Sequence, residues 1–306
     1  MLFDLVGVQI SEGTMASLIE RCAWNLKEVE NHLKEALVKA EVLHQDETGL
    51  YVKGVRSWLH VACTAQLTHY AVHRKRGKEA LDAIGILPRF QGTSVHDGWR
   101  SYFLYACAHA LCLVHLLREL TFLAEEQHLS WAAELKALLL SMKEATDEAR
   151  KQGLATLHPR EIEDWQAQFV TLVAHADATT PTAQAPPGTK GRTKQSAARN
   201  LVDRLIDNQE AVLAFLHRLI VPFDNNQAER DVRMVPRPAK GLRLLPQRSG
   251  GDGLLSHPRL LVDVAQAGLE SARLSGGHVA RSSGPAFILD YLSSYELTVT
   301  AKATSM

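Results

Sequence analysis

"EVLHQDETGLYVKGVRSWLHVACTAQLTHYAVHR", Glu41 to Arg74, is the stretch that decides the fold. Apolar and polar side chains alternate along it, so "EVLHQDE", "RSWLHVACT" and "LTHYAVHR" read as three successive strands, the second and third joined by a tight turn. Upstream, from Thr14 to Ala40, the apolar residues Leu18, Cys22, Leu26, Val29, Leu33 and Leu37 recur at spacings of three and four, which predicts one long amphipathic helix. Downstream, "KEALDAIGIL" predicts a helix stopped before Pro88, and "TSVHD" a fourth short strand. The order strand, strand, strand, helix, strand implies an α/β fold with a mixed sheet flanked by helices.

Beyond Cys112 the pattern turns helical. "LVHLLRELTFLAEEQ", "WAAELKALLLSMKEATDEARKQ" and "PREIEDWQAQFVTLVAHA" carry apolar stripes, the last with Pro159 suited to a first helical turn, and together they read as an all-helical insertion. "TTPTAQAPPGTKGRTKQS" is too polar to bury and reads as a mobile loop or linker. Helix resumes from about Ala197 to Leu219. "VPFDNNQAERDVRMV", Val221 to Val235, then predicts a helix start: Asp224 as N-cap, Gln227 three residues on completing a capping box, and Glu229 one turn in, with Arg233 placed for an ordinary ion pair.

The 306 residues are 46% hydrophobic, enough for a packed core in one large or two smaller domains. No apolar run approaches the ~18 residues of a membrane span, and "MLFDLVGVQISEG" lacks the marks of a signal peptide, so a cytoplasmic protein with no membrane partner is expected. Cys22, Cys63, Cys107 and Cys112 are scattered with no CxxC pair, which favours reduced thiols over disulfides or a zinc ribbon. The balance of 34 basic and 34 acidic residues carries no global nucleic-acid signature. Local basic stretches do occur, in "HRKRGK" (Arg74, Lys75, Arg76), in "GTKGRTKQSAARN" (Lys190, Arg192, Lys194) and from Arg230 through Arg233 to Arg248. Each alone reads as a solvated face, but together they suit a polyanionic partner.

Three acids stand out. Asp46 is read at the end of the first strand, Asp97 at the end of the fourth, and Glu229 at the start of a helix far along the chain. Strands disfavour Asp, and a carboxylate beside a sheet is costly unless it is paired or binds metal. Converging carboxylates hold hard cations such as magnesium, and a pair of such ions promotes phosphodiester displacement. Taken singly, Asp97-Gly98 reads equally well as a turn, and Asp46 as the cap of one.

The blocks "VLHQDETGLYVKGVRSWLHVACT", "RGKEALDAIGILPRFQGTSVHDGWRSYF", "ALCLVHLLRELTFL" and "VPFDNNQAERDVRMV" resemble, in order, those of the insertion sequence 66 family of bacterial transposases. The resemblance covers roughly Leu2 to Val235. It implies a ribonuclease-H-like mixed sheet flanked by helices, with an all-helical insertion between the second Asp and the Glu. It also implies an Asp, Asp, Glu triad on Asp46 in "HQDET", Asp97 in "VHDGW" and Glu229 in "NNQAER". Two Mg2+ ions, or Mn2+, would be the cofactor. DNA at the element ends and the target would be the partner, with a homo-oligomer or other transposition proteins as further candidates. Asn225, Asn226, Arg230 and Arg233 would position Glu229 or touch phosphate. A Cys, His, Arg run of the family falls on Cys112, His115 and Arg118, although this chain has "CLVHLL" where relatives often have "CNAHHL", and His115 on an apolar helix reads more readily as a packed side chain.

The expected organisation is a helical lead-in over 1–40, the first part of the core over 41–118, insertion and loop over 119–196, the Glu-bearing helices over 197–235, and a departing tail over 236–306. Relatives carry a longer N-terminal region that reads terminal repeats, which is expected to be missing. "GLRLLPQR" and "GDGLLSHPRLLVDVAQAGL" can be encoded in a frame neighbouring the family tail, so a frameshift is expected between about Val235 and Gly241. Three functions follow: a transposase catalytic domain that cleaves DNA and transfers the strand, an inactive remnant that only binds DNA or an intact transposase, and a metal-dependent nuclease outside transposition.

Overall fold

The computed structural model describes residues 11–52, 54–184 and 193–234. Lys190, Arg192 and the tail from Val235, with the expected frameshift, lie outside the described residues.

The helical lead-in is two helices, α1 (Glu12–Asn25) and α2 (Lys27–Val38), meeting at Leu26. Ser11 caps α1 by accepting from the Thr14 N–H at 3.1 Å. The apolar stripe predicted as one helix is divided, and among the described residues only its second half packs into a core. Leu37 of α2 is fully buried with Leu33 and Val38 beside it, whereas Leu18 and Trp24 of α1 remain exposed.

The period-two stretch gives β1 (Val42–Val52), β2 (Val55–Cys63) and β3 (Thr68–His73) as an antiparallel meander. β1 continues well past the predicted end, pairing as far as Val52 with Val55, and Gly54 takes the left-handed φ of 79° that the turn demands. Helix α3 (Lys78–Ile84) stops sooner than expected, at Gly85, whose φ of 77° forms a left-handed cap. β4 (Thr93–His96) then pairs parallel to β1, and β5 (Ala108–Leu111) parallel to β4. The sheet order is therefore β3-β2-β1-β4-β5. Gly92 lets the chain enter β4, since a Cβ there would lie 2.5 Å from the Glu41 carbonyl oxygen and 2.6 Å from that of Ala40.

The remaining helices are α4 (Leu113–Glu125), α5 (Ser130–Lys151), α6 (Pro159–Thr179), α7 (Ala197–Asp207), α8 (Gln209–His217) and α9 (Asn226–Met234). The helix predicted from Ala197 to Leu219 is broken at Asn208, whose side-chain amide donates to the Arg204 carbonyl and closes α7. The two larger of three apolar clusters among the described residues flank the sheet. Leu43, Ala62 and Ala71 pack on one face with α2, α3 and Tyr102, while Val95 and Ala110 pack on the other with α4 to α8. Among the described residues no helix is long and apolar enough to cross a membrane.

Candidate active site

Register determines which acids can meet. Directly paired residues in neighbouring strands share a face, and faces alternate with a period of two. Asp46 is paired with Val61, and Val61 packs with Cys63 and with Ala228 of α9. Asp46 therefore faces α9, while Glu47 points to the opposite side. Contrary to the expectation that Asp46 ends its strand, it sits in the middle of β1. Across the parallel pairs His44 lies beside Val95, and Val95 beside Ala110. Asp97 and Cys112 follow directly on β4 and β5, one residue past the last paired residues, and the register carried on by two residues leads both towards the level of Asp46. The Cys112 N–H continues the ladder by donating to the His96 carbonyl at 2.8 Å.

Asp97 is exposed just beyond β4 and accepts from the Trp99 N–H at 2.9 Å, with Gly98 at φ 89°. It is thus both the turn residue and the edge of the row.

Glu229 reaches the row from the far end of the chain. The segment before α9 is laid along the start of α4: the Leu113 N–H donates to the Phe223 carbonyl, and the Asn225 N–H donates to Cys112 Sγ at 3.2 Å. Asn225 is buried. Its amide donates to the Gln45 carbonyl at 2.7 Å, and its side-chain oxygen lies 2.9 Å from His44 Nδ1, pinning the start of α9 to β1. Glu229 Oε1 is then 3.8 Å from Cys112 Sγ and 4.0 Å from His115 Nδ1, and its Oε2 pairs with Arg233 at 3.0 Å. The capping box does not form as expected. Asp224 accepts from the Asn226 N–H, but the Gln227 amide turns forward to Asp231.

Burial raises the Asp46 carboxyl to about 7, with the charges of Glu47, Asp97 and Glu229 adding to the effect against the Glu47 N–H that it accepts. Among the described residues neither Asp46 nor Asp97 joins an ion pair with a cation. Carboxylates with so little positive compensation are of the kind that hard divalent cations take, but among the described residues Asp46, Asp97 and Glu229 do not bring one oxygen each within 4.8 Å of one another, so they do not form a preformed single-ion cage. Glu47, by contrast, is paired: its side chain is 1% exposed, meets Arg76 at 2.6 Å and accepts from the Tyr102 hydroxyl. Burial pushes its carboxyl up and those two donors pull it down.

The basic residues divide. Arg74, Lys75, Lys194, Arg230 and Arg118 are exposed, and so is Arg233, paired with Glu229. Arg76 is committed to Glu47 and stacks between Trp58 and Trp99 at 4.9 and 4.2 Å. Asn226 is exposed. Asp97, Cys112 and His115 open onto a cleft of about 770 Å³ walled by α4 and α7.

Two relationships escaped the sequence reading. Glu47 was visible only as the neighbour of Asp46, and its mate Arg76 was read as a surface cation. The closeness of Cys112 and His115 to Glu229 had a signal, the Cys-x-x-His spacing at the start of a helix, but nothing local to connect it with an acid so distant in sequence.

A family model, the transposase IS66 family, matches residues 1–252. The chain belongs to the IS66 family of transposases. The match runs past Val235, where the resemblance was expected to stop, to residue 252. No curated protein matches the chain.

Proposed function

We propose that this IS66-family chain is a DDE catalytic domain that cleaves DNA and transfers the freed strand, with Asp46, Asp97 and Glu229 as its carboxylate triad. The observation that supports the reading is the approach of Asp97 and Glu229 to Asp46, near enough for both charges to raise its carboxyl, with the β1–β4 register leading Asp46 and Asp97 towards each other. The sheet order β3-β2-β1-β4-β5, antiparallel then parallel, supports a ribonuclease-H-like core, and α4 to α6 support a helical insertion before the Glu-bearing helix.

The carboxylates of Asp46, Asp97 and Glu229 would hold two Mg2+ or Mn2+ ions. When bound, such a pair lowers the pKa of the attacking water or 3′-hydroxyl and neutralises the leaving oxygen. Asn225 positions Glu229 through β1 rather than touching phosphate, because its side chain is buried and already hydrogen-bonded. Arg74, Lys75, Lys194 and Arg230 are exposed and would meet the DNA backbone, which fixes register without reading sequence. A frameshift between about Val235 and Gly241 stays a proposal set against a family match that continues to residue 252, and sequencing the encoding DNA tests it directly.

Supercoiled plasmid incubated with the purified chain and Mg2+ should be nicked or joined, and Asp97→Asn should lower the rate at least ~100-fold, since a metal-binding carboxylate is lost. DNA binding should survive that substitution. Salt-sensitive binding with no cleavage by the unsubstituted chain would leave the inactive remnant as the correct reading.

A further inference from the structure

Cys112, His115 and Glu229 place a sulfur, a nitrogen and an oxygen within 4.8 Å of one another. We propose that these three side chains form a site for a single thiophilic divalent cation of the zinc class, distinct in chemistry from the all-carboxylate magnesium set.

Distances carry the proposal. Zinc bonds of ~2.3 Å to sulfur and ~2.0–2.1 Å to nitrogen and oxygen give tetrahedral ligand separations of roughly 3.3–3.5 Å. Sulfur to oxygen is 3.8 Å here and nitrogen to oxygen 4.0 Å, so these two pairs need close by only about 0.3–0.7 Å, and sulfur to nitrogen lies within 4.8 Å, a closure within the reach of side-chain rotation. His115 Nδ1 is a buried nitrogen with no hydrogen-bond partner among the described residues, turned towards Glu229. Buried polar atoms of this kind call for a partner. Cys112 Sγ already accepts the Asn225 N–H, the outer contact that orients a metal-bound thiolate. Glu229 divides its oxygens, Oε1 towards the sulfur and nitrogen and Oε2 towards Arg233.

On binding, the thiol proton passes to solvent and the thiolate donates its pair to the cation. Three protein ligands leave the fourth position to solvent, and the cleft beside Cys112 and His115 supplies the way in. The ion would join the starts of α4 and α9, which are 117 residues apart at Cys112 and Glu229. The site does not depend on DNA cleavage by the chain, although it borrows Glu229 from the proposed triad.

The full chain, freed of metal, is titrated with Zn2+ against a coloured chelator and separately with Co2+. One Zn2+ per chain is expected, together with an intense near-ultraviolet thiolate-to-cobalt band and the strong visible bands of four-coordination. His115 is half-exposed, so His115→Ala should fold, and its Zn2+ affinity should fall at least tenfold; Cys112→Ser should abolish the near-ultraviolet band. Asp97→Asn should retain both signatures while losing cleavage, which separates the two proposals. Absence of the thiolate band, or an unchanged Zn2+ affinity in folded His115→Ala, overturns the site.

Discussion

Asp46 and Glu47 are adjacent in sequence and lie on opposite faces of one strand, and their environments diverge accordingly. Glu47 is held by Arg76 and Tyr102, and Arg76 in turn is stacked between two indoles. Removing Arg76 strands a buried carboxylate, so Arg76→Ala should cost about 2–3 kcal/mol, and urea unfolding checks this. Arg76→Lys should not restore the loss, because an ammonium cannot both fork onto Glu47 and stack flat on indole. Asp46 has no such partner. Its folded pKa of about 7 lies above the ordinary 3.8, so the folded state keeps a proton that the unfolded chain has released. Metal-free protein should therefore lose stability as pH rises from about 4 through 7. Asp46→Asn should flatten that slope, leaving the variant's melting temperature in chelator higher than that of the parent at pH 8 and nearly equal at pH 4.

At the scale of elements, the parallel crossing from β1 to β4 sets the row, and Gly92 makes the crossing possible. A methyl group there meets two carbonyl oxygens at 2.5 and 2.6 Å, neither at the end of a flexible side chain. Gly92→Ala should cost more than ~2 kcal/mol and reduce cleavage in the protein that still folds, as read by thermal melting and plasmid nicking. The same crossing marks where the sequence stopped being legible. Alternation in Glu41 to Arg74 announced three strands because each buries one face and exposes the other. Strand β5, only four residues of "AHAL", has no strand propensity of its own and exists because β4 offers it an edge. The breaks at Leu26 and Asn208 were equally hidden, since helical spacing continues across both and only packing partners and one amide interrupt them. The acids could be picked out singly, but their alignment depends on a register that no local pattern encodes.

For the molecule as a whole, zero formal net charge means that attraction to DNA must come from a few cations rather than from a global field. Arg74 and Lys75 are exposed on the loop after β3 and free of ion pairs with described residues. Replacing both by Ala should weaken binding to any DNA sequence alike and reduce the slope of log affinity against log salt by up to ~2, measurable by fluorescence anisotropy. Glu229 joins Asp46 and Asp97 only after every other described strand and helix has been made, because α9 comes last among them and leans on β1, β2 and the start of α4. A ribosome partway through this message therefore carries sheet and helices without the segment that bears Glu229. On the proposed assignment, the chromosome is safe from a half-made chain, since cutting would wait until the closing segment has emerged and docked.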